Sequence, residues 1–269
     1  MPELPEVETV IRFLRPHIIG KTISGVEFPW SKACEGSSVD QFKKNTIGSK
    51  IRALERRGKY IIFTIDSSWF TVHLRMTGHL YIAKAGFDRG HVTFLSRLDG
   101  DQYLVFKDQR KFGRVTWMDS LKPLGAKLGL EPLSDEFTEE WLYNNIRSRK
   151  RQMKALLLDQ SIIAGLGNIY VDEVLWASGI NPLKVSDRVS AKKVRSLHAA
   201  IGLILRKAIS ARGTTIRDFR VDGEQPGSFK DQLKIFERSG YPCHRCDETI
   251  VKIRAAGRGT YICPRCQRK

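Results

Sequence analysis

The chain has 269 residues, 41% hydrophobic and 9% aromatic, enough apolar content for one large core or two or three smaller ones. That composition excludes a collagen-like, low-complexity or solenoid chain, and no apolar run reaches membrane-spanning length. Lys and Arg outnumber Asp and Glu by 46 to 29, and the resulting +17 favours polyanionic partners, nucleic acid first and a membrane surface second.

The chain opens MPELPEVETV, without the basic and apolar regions of a secretion signal, so an intracellular, soluble protein is expected. Val7, Val10, Ile11 and Leu14 recur at helical spacing and predict a helix of about three turns. Pro5 suits its first position, and Glu6 and Glu8 suit the positive end of its dipole. From about residue 22 to 119 the chain reads as strands: KYIIFTID, SWFTVHLRM, HVTFLSRL, QYLVFKD and RVTWM. Asp99-Gly100 predicts a hairpin turn between two of them. Near GLEPLSDEF (129–137) the period changes, with Ser134 as the expected helix cap. EEWLYNNI, QMKALLLDQ, IYVDEVLWASG and KKVRSLHAAIGLILRKAI then read as helices. The expected architecture is α+β and multi-domain. A helix with an antiparallel β-sandwich spans 1–120, a linker 121–133, a helical domain with a Gly-rich loop 134–228, and a small segment needing a staple 229–269.

That staple is legible. Two CxxC pairs, Cys243/Cys246 and Cys263/Cys266, stand 16 residues apart, the pattern of a four-thiolate zinc site. Disulfides or chance pairs are the alternative, disfavoured in an intracellular chain whose last segment has no other core. Four protein ligands make the expected single zinc ion structural. The intervening TIVKIRAAGRGTYI reads as a hairpin turning at Ala256-Gly257, with Arg258 beside the turn. Cys34 stands alone as an incidental or structural thiol.

DQSIIAGLGNIYVDEVLWASGI (159–180) places a glycine turn before a helix opening at Asn168. It reads either as a phosphate-presenting turn or as an ordinary helix hairpin. The basic run RSRKRQMK (147–154) just upstream, with Arg149 and Lys154, favours nucleic-acid backbone binding. Within the strands, RRGKY (56–60) carries Lys59, VHLRMTGHL (72–80) carries His73 and Met76, and FKDQRKFG (106–113) carries Arg110 and Phe112. Arg and Phe two apart on a turn suit insertion into a duplex, whereas singly each residue is an ordinary core or surface residue.

Taken in order, PELPEVETV, RRGKY, HLRMTG, DQRKFG, LGxEPLS, GLGNIYVDEVL and the CxxC finger make the whole chain resemble the bacterial formamidopyrimidine-DNA glycosylase (Fpg) family. Leu4 and the Arg110/Phe112 pair side with it against the sister Nei branch, which prefers oxidised pyrimidines. The resemblance implies a β-sandwich domain, a helix–two-turn–helix domain and a zinc finger, with damaged double-stranded DNA bound in the cleft between. It implies excision of 8-oxoguanine and formamidopyrimidines followed by strand cleavage, by a monomer working on nucleoid DNA. It implies Pro2 as the nucleophile once Met1 is removed, Glu3 as acid/base, and Lys59 and Arg258 as phosphate-contacting residues that assist elimination. His73, His91, Arg110, Arg149 (or its neighbour Lys150), Lys154 and Asn168 match DNA contacts. Met76, Arg110 and Phe112 match the trio that fills the gap left by a flipped nucleotide. Glu6 is either lesion-proximal or a helix-start residue, and Arg217 neighbours the lesion. VDGEQPGSF (221–229) matches the lesion-gripping loop, with Ser228 where an aromatic often stands. A catalytically inactive damaged-DNA binder is the remaining alternative.

Overall fold

Helix α1 (Leu4–Ile18) starts earlier than the apolar spacing defines, because a capping box closes its N-terminus at Glu3 and makes Pro5 its second residue, and it runs on to Ile18. In this computed structural model, which describes residues 1–66, 68–214 and 227–268, the chain divides into two compact units. The first is built on residues up to 125, the second on 126–214 and 228–268.

The first unit is a β-sandwich with two helices. Strands β1 (Ile23–Glu27), β6 (Gly78–Lys84), β7 (Val92–Leu98) and β8 (Gln102–Asp108) form one sheet in the order β1-β7-β8-β6. Strands β2 (Cys34–Glu35), β3 (Ile51–Arg57), β4 (Tyr60–Ile65), β5 (Ser68–His73) and β9 (Arg114–Met118) form the other, β2-β9-β5-β4-β3. All pairings are antiparallel except the two-residue β2–β9 ladder. Both sheets and α1 share one core, in which Phe42 packs edge-on against Phe70, Phe94 and Trp117, and Phe63 stacks on Phe70 at 4.4 Å. Phe42 belongs to helix α2 (Val39–Thr46), inside the stretch read as strands. Its signal was Ser38, whose hydroxyl accepts the Gln41 amide at 3.1 Å as an N-cap. The β7–β8 turn is a three-residue loop, Asp99 to Asp101, with positive φ at both Gly100 and Asp101.

The chain divides within α3 (Lys122–Lys127). The second unit contains α4 (Glu139–Arg147), α5 (Met153–Leu157), α6 (Asn168–Ser178), α7 (Ala191–Ser210) and the hairpin β10 (Val251–Ala255)–β11 (Arg258–Ile262). Helix α4 is capped by Thr138 and not by Ser134, whose hydroxyl instead donates to the Glu131 carbonyl. Between α5 and α6 the chain makes two turns, closed by Gln160. Its amide nitrogen donates to Leu158 and Leu166, and its oxygen accepts the Gly165 amide. Gly129 and Leu130 pair onto this segment by backbone hydrogen bonds to Gln160 and Ile162. Helix α6 is buried from Tyr170 to Trp176 on every face. The β10–β11 turn falls at Ala256-Gly257, both at positive φ.

A side chain at Gly129 would overlap the Ile162 backbone carbonyl, which cannot swing aside. Gly129→Ala is therefore expected to cost about 1–3 kcal/mol by overpacking. Urea denaturation checks this as a lowered midpoint with an unchanged slope.

Candidate nucleic-acid interface

Four groups of residues converge on candidate chemistry, two in each unit. At the chain start Pro2 is buried and Glu3 is 2% exposed. Glu3 is the N-cap of α1: its carboxylate accepts the Glu6 amide, and Glu6 Oε2 accepts the Glu3 amide at 2.9 Å. Both glutamates thus hold the helix start, whatever else they do. Helix α1 is tied to the β3–β4 hairpin by Glu8, which bridges Arg12 at 2.9 Å and Arg56 at 3.1 Å. Burial raises the Glu8 carboxyl, but the two guanidiniums outweigh it and hold the group below its ordinary range. Arg56 also donates to the Gly58 carbonyl at 3.2 Å, next to Lys59, which is 7% exposed.

The second group surrounds Asp108, which is fully buried at the end of β8. Its carboxylate accepts from the Thr77 hydroxyl at 2.5 Å and from the amides of Arg110 and Gly113 at 3.2 and 2.6 Å. One buried acid therefore shapes the β8–β9 loop and joins it to the β5–β6 turn. The result brings Met76, Arg110 and Phe112 together. The Arg110 guanidinium lies 3.1 Å from Met76 Sδ and 4.7 Å from the Phe112 ring centre, and Met76 and Phe112 are 42% and 46% exposed. Lys111, at φ 58°, anchors the loop by its ammonium 4.5 Å from the Trp30 ring centre. His91 is exposed and gives its carbonyl to the Asp108 amide at 2.9 Å. His73 is half-buried, packs edge-on against Tyr60 at 4.6 Å, and accepts the Arg75 amide at Nδ1, leaving the proton of its neutral form on Nε2.

In the second unit, Asn168 opens α6 and donates to the Gly259 carbonyl at 3.1 Å, beside exposed Arg258. The structure therefore brings Asn168 and Arg258 together. Arg149 caps α4 by donating to the Asn145 carbonyl and side chain at 3.0 and 2.9 Å, while its neighbour Lys150 is exposed. Lys154 departs from expectation. It is 0% exposed, its ammonium lies 2.6 Å from Asp172, itself 1% exposed, and it donates to the Gly259 carbonyl at 3.4 Å. A side chain so enclosed does not present its charge to a phosphate, and the basic run gave no sign that this lysine alone turns inward. Burial pushes the Asp172 carboxyl up to about 6, opposed by the Lys154 ammonium and the Tyr261 amide. Arg217 and residues 221–226 of the lesion-gripping loop lie outside the described residues.

The fourth group is the cysteine cluster. The sulfurs of Cys243, Cys246, Cys263 and Cys266 all lie within 4.8 Å of one another, Cys246 3.4 Å from Cys266 and 3.5 Å from Cys263, and Cys243 3.9 Å from Cys266. Four sulfurs about 2.3 Å from a tetrahedral zinc would stand about 3.8 Å apart, so the residues fit the ion. Burial raises the Cys243 thiol, but the Arg245 amide and the Trp176 indole N–H overcome this and bring it down to about 7. Cys34 lies far from this in sequence, with its sulfur 3.6 Å from the Ser37 carbonyl.

Asp108, Asp172, Glu173 and Trp176 were not singled out as site residues from the sequence. Asp172-Glu173 had a signal: two adjacent acids within a helix otherwise apolar on all sides must each find partners. Glu173 finds three, the amides of Lys234, Ile235 and Phe236 at 2.9–3.1 Å.

Three family models match the chain. The formamidopyrimidine-DNA glycosylase N-terminal domain matches residues 1–115, the formamidopyrimidine-DNA glycosylase H2TH domain 128–220, and the zinc finger found in FPG and IleRS 240–268. The chain is 42% identical to the formamidopyrimidine-DNA glycosylase of Chloroflexus aggregans, over 99% of this chain and 98% of that one. It is 43% identical to that of Carboxydothermus hydrogenoformans, over 100% of both. Among solved structures it matches a Lactococcus lactis FPG mutant in complex with a Fapy-dG containing DNA, with TM-score 0.94, 38% identity and full coverage of both chains. It also matches MutM in complex with carbocyclic 8-oxo-G containing DNA, with TM-score 0.93, 37% identity and full coverage of both chains.

Lys154→Met would leave the buried Asp172 without its cation, at an expected cost of about 3–5 kcal/mol. Adding Asp172→Leu should recover most of that loss. Thermal and urea unfolding of the single and double variants check both statements.

Proposed function

We infer the function from family membership: the chain belongs to the formamidopyrimidine-DNA glycosylase family. It is a DNA glycosylase acting on oxidised purines in base excision repair, and abasic-site lyase activity is expected for the family. Its partner is damaged DNA, and among the described residues no helix is long and apolar enough to cross a membrane. We assign it to nucleoid DNA, a reading supported by its +17 charge, and take it to act there as a monomer.

The observation that carries the chemistry is the capping box that fixes the residue after Pro2. Removal of Met1 leaves a secondary amine there. With an α-amino pKa near 8, about a tenth of it is neutral at pH 7, against well under a thousandth of an ordinary lysine. Its lone pair forms a bond to C1′ of the damaged nucleotide while the base leaves with the glycosidic electron pair. The proton left on the proline nitrogen passes to the departing base, Glu3 donates a proton to the ring oxygen, the C1′–O bond breaks as the nitrogen lone pair closes onto C1′, and the product is an iminium. That cation withdraws electrons from C2′, whose proton is lost as the C3′–O bond breaks. A second elimination releases the 5′-phosphate, and water then frees the amine. Lys59 and Arg258 are assigned to the flanking phosphates, where a cation stabilises each departing phosphate.

The nucleotide must leave the stack to be attacked. Met76, Arg110 and Phe112 are assigned to the space it vacates, an assignment supported by their exposure and mutual contact. His73, His91, Lys150 and Asn168 are assigned to the backbone, with Arg149 holding the loop that carries Lys150. Zinc, where bound, closes the finger that carries Arg258; Cys243, Cys246, Cys263 and Cys266 hold it.

Borohydride should trap the protein covalently on a duplex carrying 8-oxoguanine opposite C, and that duplex should be cut faster than one carrying thymine glycol. A glutamine side-chain oxygen can still accept the Glu6 amide, so Glu3→Gln should change the melting temperature little while lowering single-turnover base release by about 10²–10⁴-fold. An untouched rate would remove Glu3 from the mechanism.

DNA affinity should fall with added salt at a log–log slope of about −0.9 per phosphate neutralised. A salt titration of binding to undamaged duplex measures it, and a flat response would contradict the electrostatic role of the surface charge.

A further inference from the structure

The four cysteines are not equivalent in their surroundings. Cys243 is 1% exposed and sits among Trp176, Ile235 and Ile250. The indole Nε1 of Trp176 donates to Cys243 Sγ at 3.4 Å, within the reach of an N–H···S bond. The ring that makes this bond is itself held. Arg245, two residues beyond Cys243, lays its guanidinium 4.0 Å from the indole centre and donates to the carbonyls of Trp176 and Ala177 at 2.9 and 2.8 Å. The knuckle therefore grips the last turn of α6, and α6 returns one hydrogen bond to a metal-binding sulfur.

We propose that Trp176 is an outer-shell donor to the zinc thiolate of Cys243, held by Arg245, and that it slows oxidation of the site by hydroperoxides. The inference rests on the zinc assignment. A thiolate attacks a peroxide with its sulfur lone pair: an S–O bond forms, the O–O bond breaks, and hydroxide leaves with the electron pair. Sulfur is thereby oxidised by two electrons to a sulfenic acid. A neighbouring cysteine thiolate then displaces hydroxide to give a disulfide, and zinc loses two ligands. An N–H directed at the sulfur withdraws electron density from the attacking lone pair, and the indole covers one approach to it. Trp176 is a positioning and tuning residue, not a catalytic one.

Trp176→Phe keeps an aromatic ring in the packing and removes the donor. In full-length zinc-loaded protein, release of zinc to a colorimetric chelator in hydrogen peroxide should accelerate about two- to tenfold, the effect of one hydrogen bond. Release to the chelator without peroxide should stay near the parent rate. Acceleration only in the absence of peroxide, or equal acceleration with and without it, would mean that Trp176 merely packs, and would overturn the proposal. Should the variant not fold, the parent decides. Loaded with the spin-half cadmium isotope, it should show scalar coupling from the metal through sulfur to the Trp176 indole proton. Absence of that coupling together with solvent-like exchange of the proton would overturn the proposal. Metal analysis of the parent separates the two levels: protein without stoichiometric zinc would sink the zinc assignment and this inference together.

Discussion

The carboxylate of Asp172 is the constraint around which the second unit is arranged. It sits in a helix with no solvent-facing side, where an ionised group without partners is untenable. Its two partners come from different elements: the Lys154 ammonium from α5 and the Tyr261 amide, at 3.0 Å, from β11. Lys154 and Asn168 also both donate to the Gly259 carbonyl. The strand is therefore gripped at Gly259 and Tyr261, immediately after Arg258. A well-packed apolar pair could match this ion pair in stability. It could not accept the Tyr261 amide, so it would not fix where β11 lies. The ion pair contributes position, and position is what a phosphate-contacting arginine requires.

The first unit solves a similar problem with a different acid. Asp108 collects a hydroxyl and two amides and so determines the path of the loop that displays Arg110 and Phe112. Glu3 and Glu6 do the same for the first turn of α1, and Glu8, through Arg56, for the turn before Lys59. In a chain of net charge +17 the acids are the minority, yet at each of these places an acid sets the local geometry. The cations are mostly displayed on what the acids have shaped.

Much of the fold was legible because its signals are local. The apolar period of α1, the β-branched and aromatic runs of β4, β5, β7, β8 and β9, and the Ala256-Gly257 turn each depend on neighbours in sequence. Helix α2 was hidden because its eight residues carry only one deeply buried aromatic, Phe42, too few for a period to stand out. The cysteine site was legible for a different reason: two knuckles at a fitting spacing leave little choice of geometry. Lys154 was misread because a basic run looks uniform from sequence. Burial of one member is decided by Asp172, eighteen residues later, and by a strand more than a hundred residues away. Asp108 lay inside a motif already noted, but its importance comes from three partners that only the folded turn assembles.

The same distinction bears on why the chain end, and not a lysine, is assigned the nucleophile. Lys154, fully buried, has its ammonium 2.6 Å from the Asp172 carboxylate, and such a pairing favours the protonated form over the nucleophilic one. Pro2 comes immediately before a helix whose first-turn amides point toward the chain end. The Glu3 and Glu6 carboxylates each accept an amide of this first turn and so fix the turn that follows Pro2. The arrangement that caps α1 is therefore also one that fixes the chain beside Pro2, which ties the catalytic assignment of Pro2 to an ordinary requirement of helix formation.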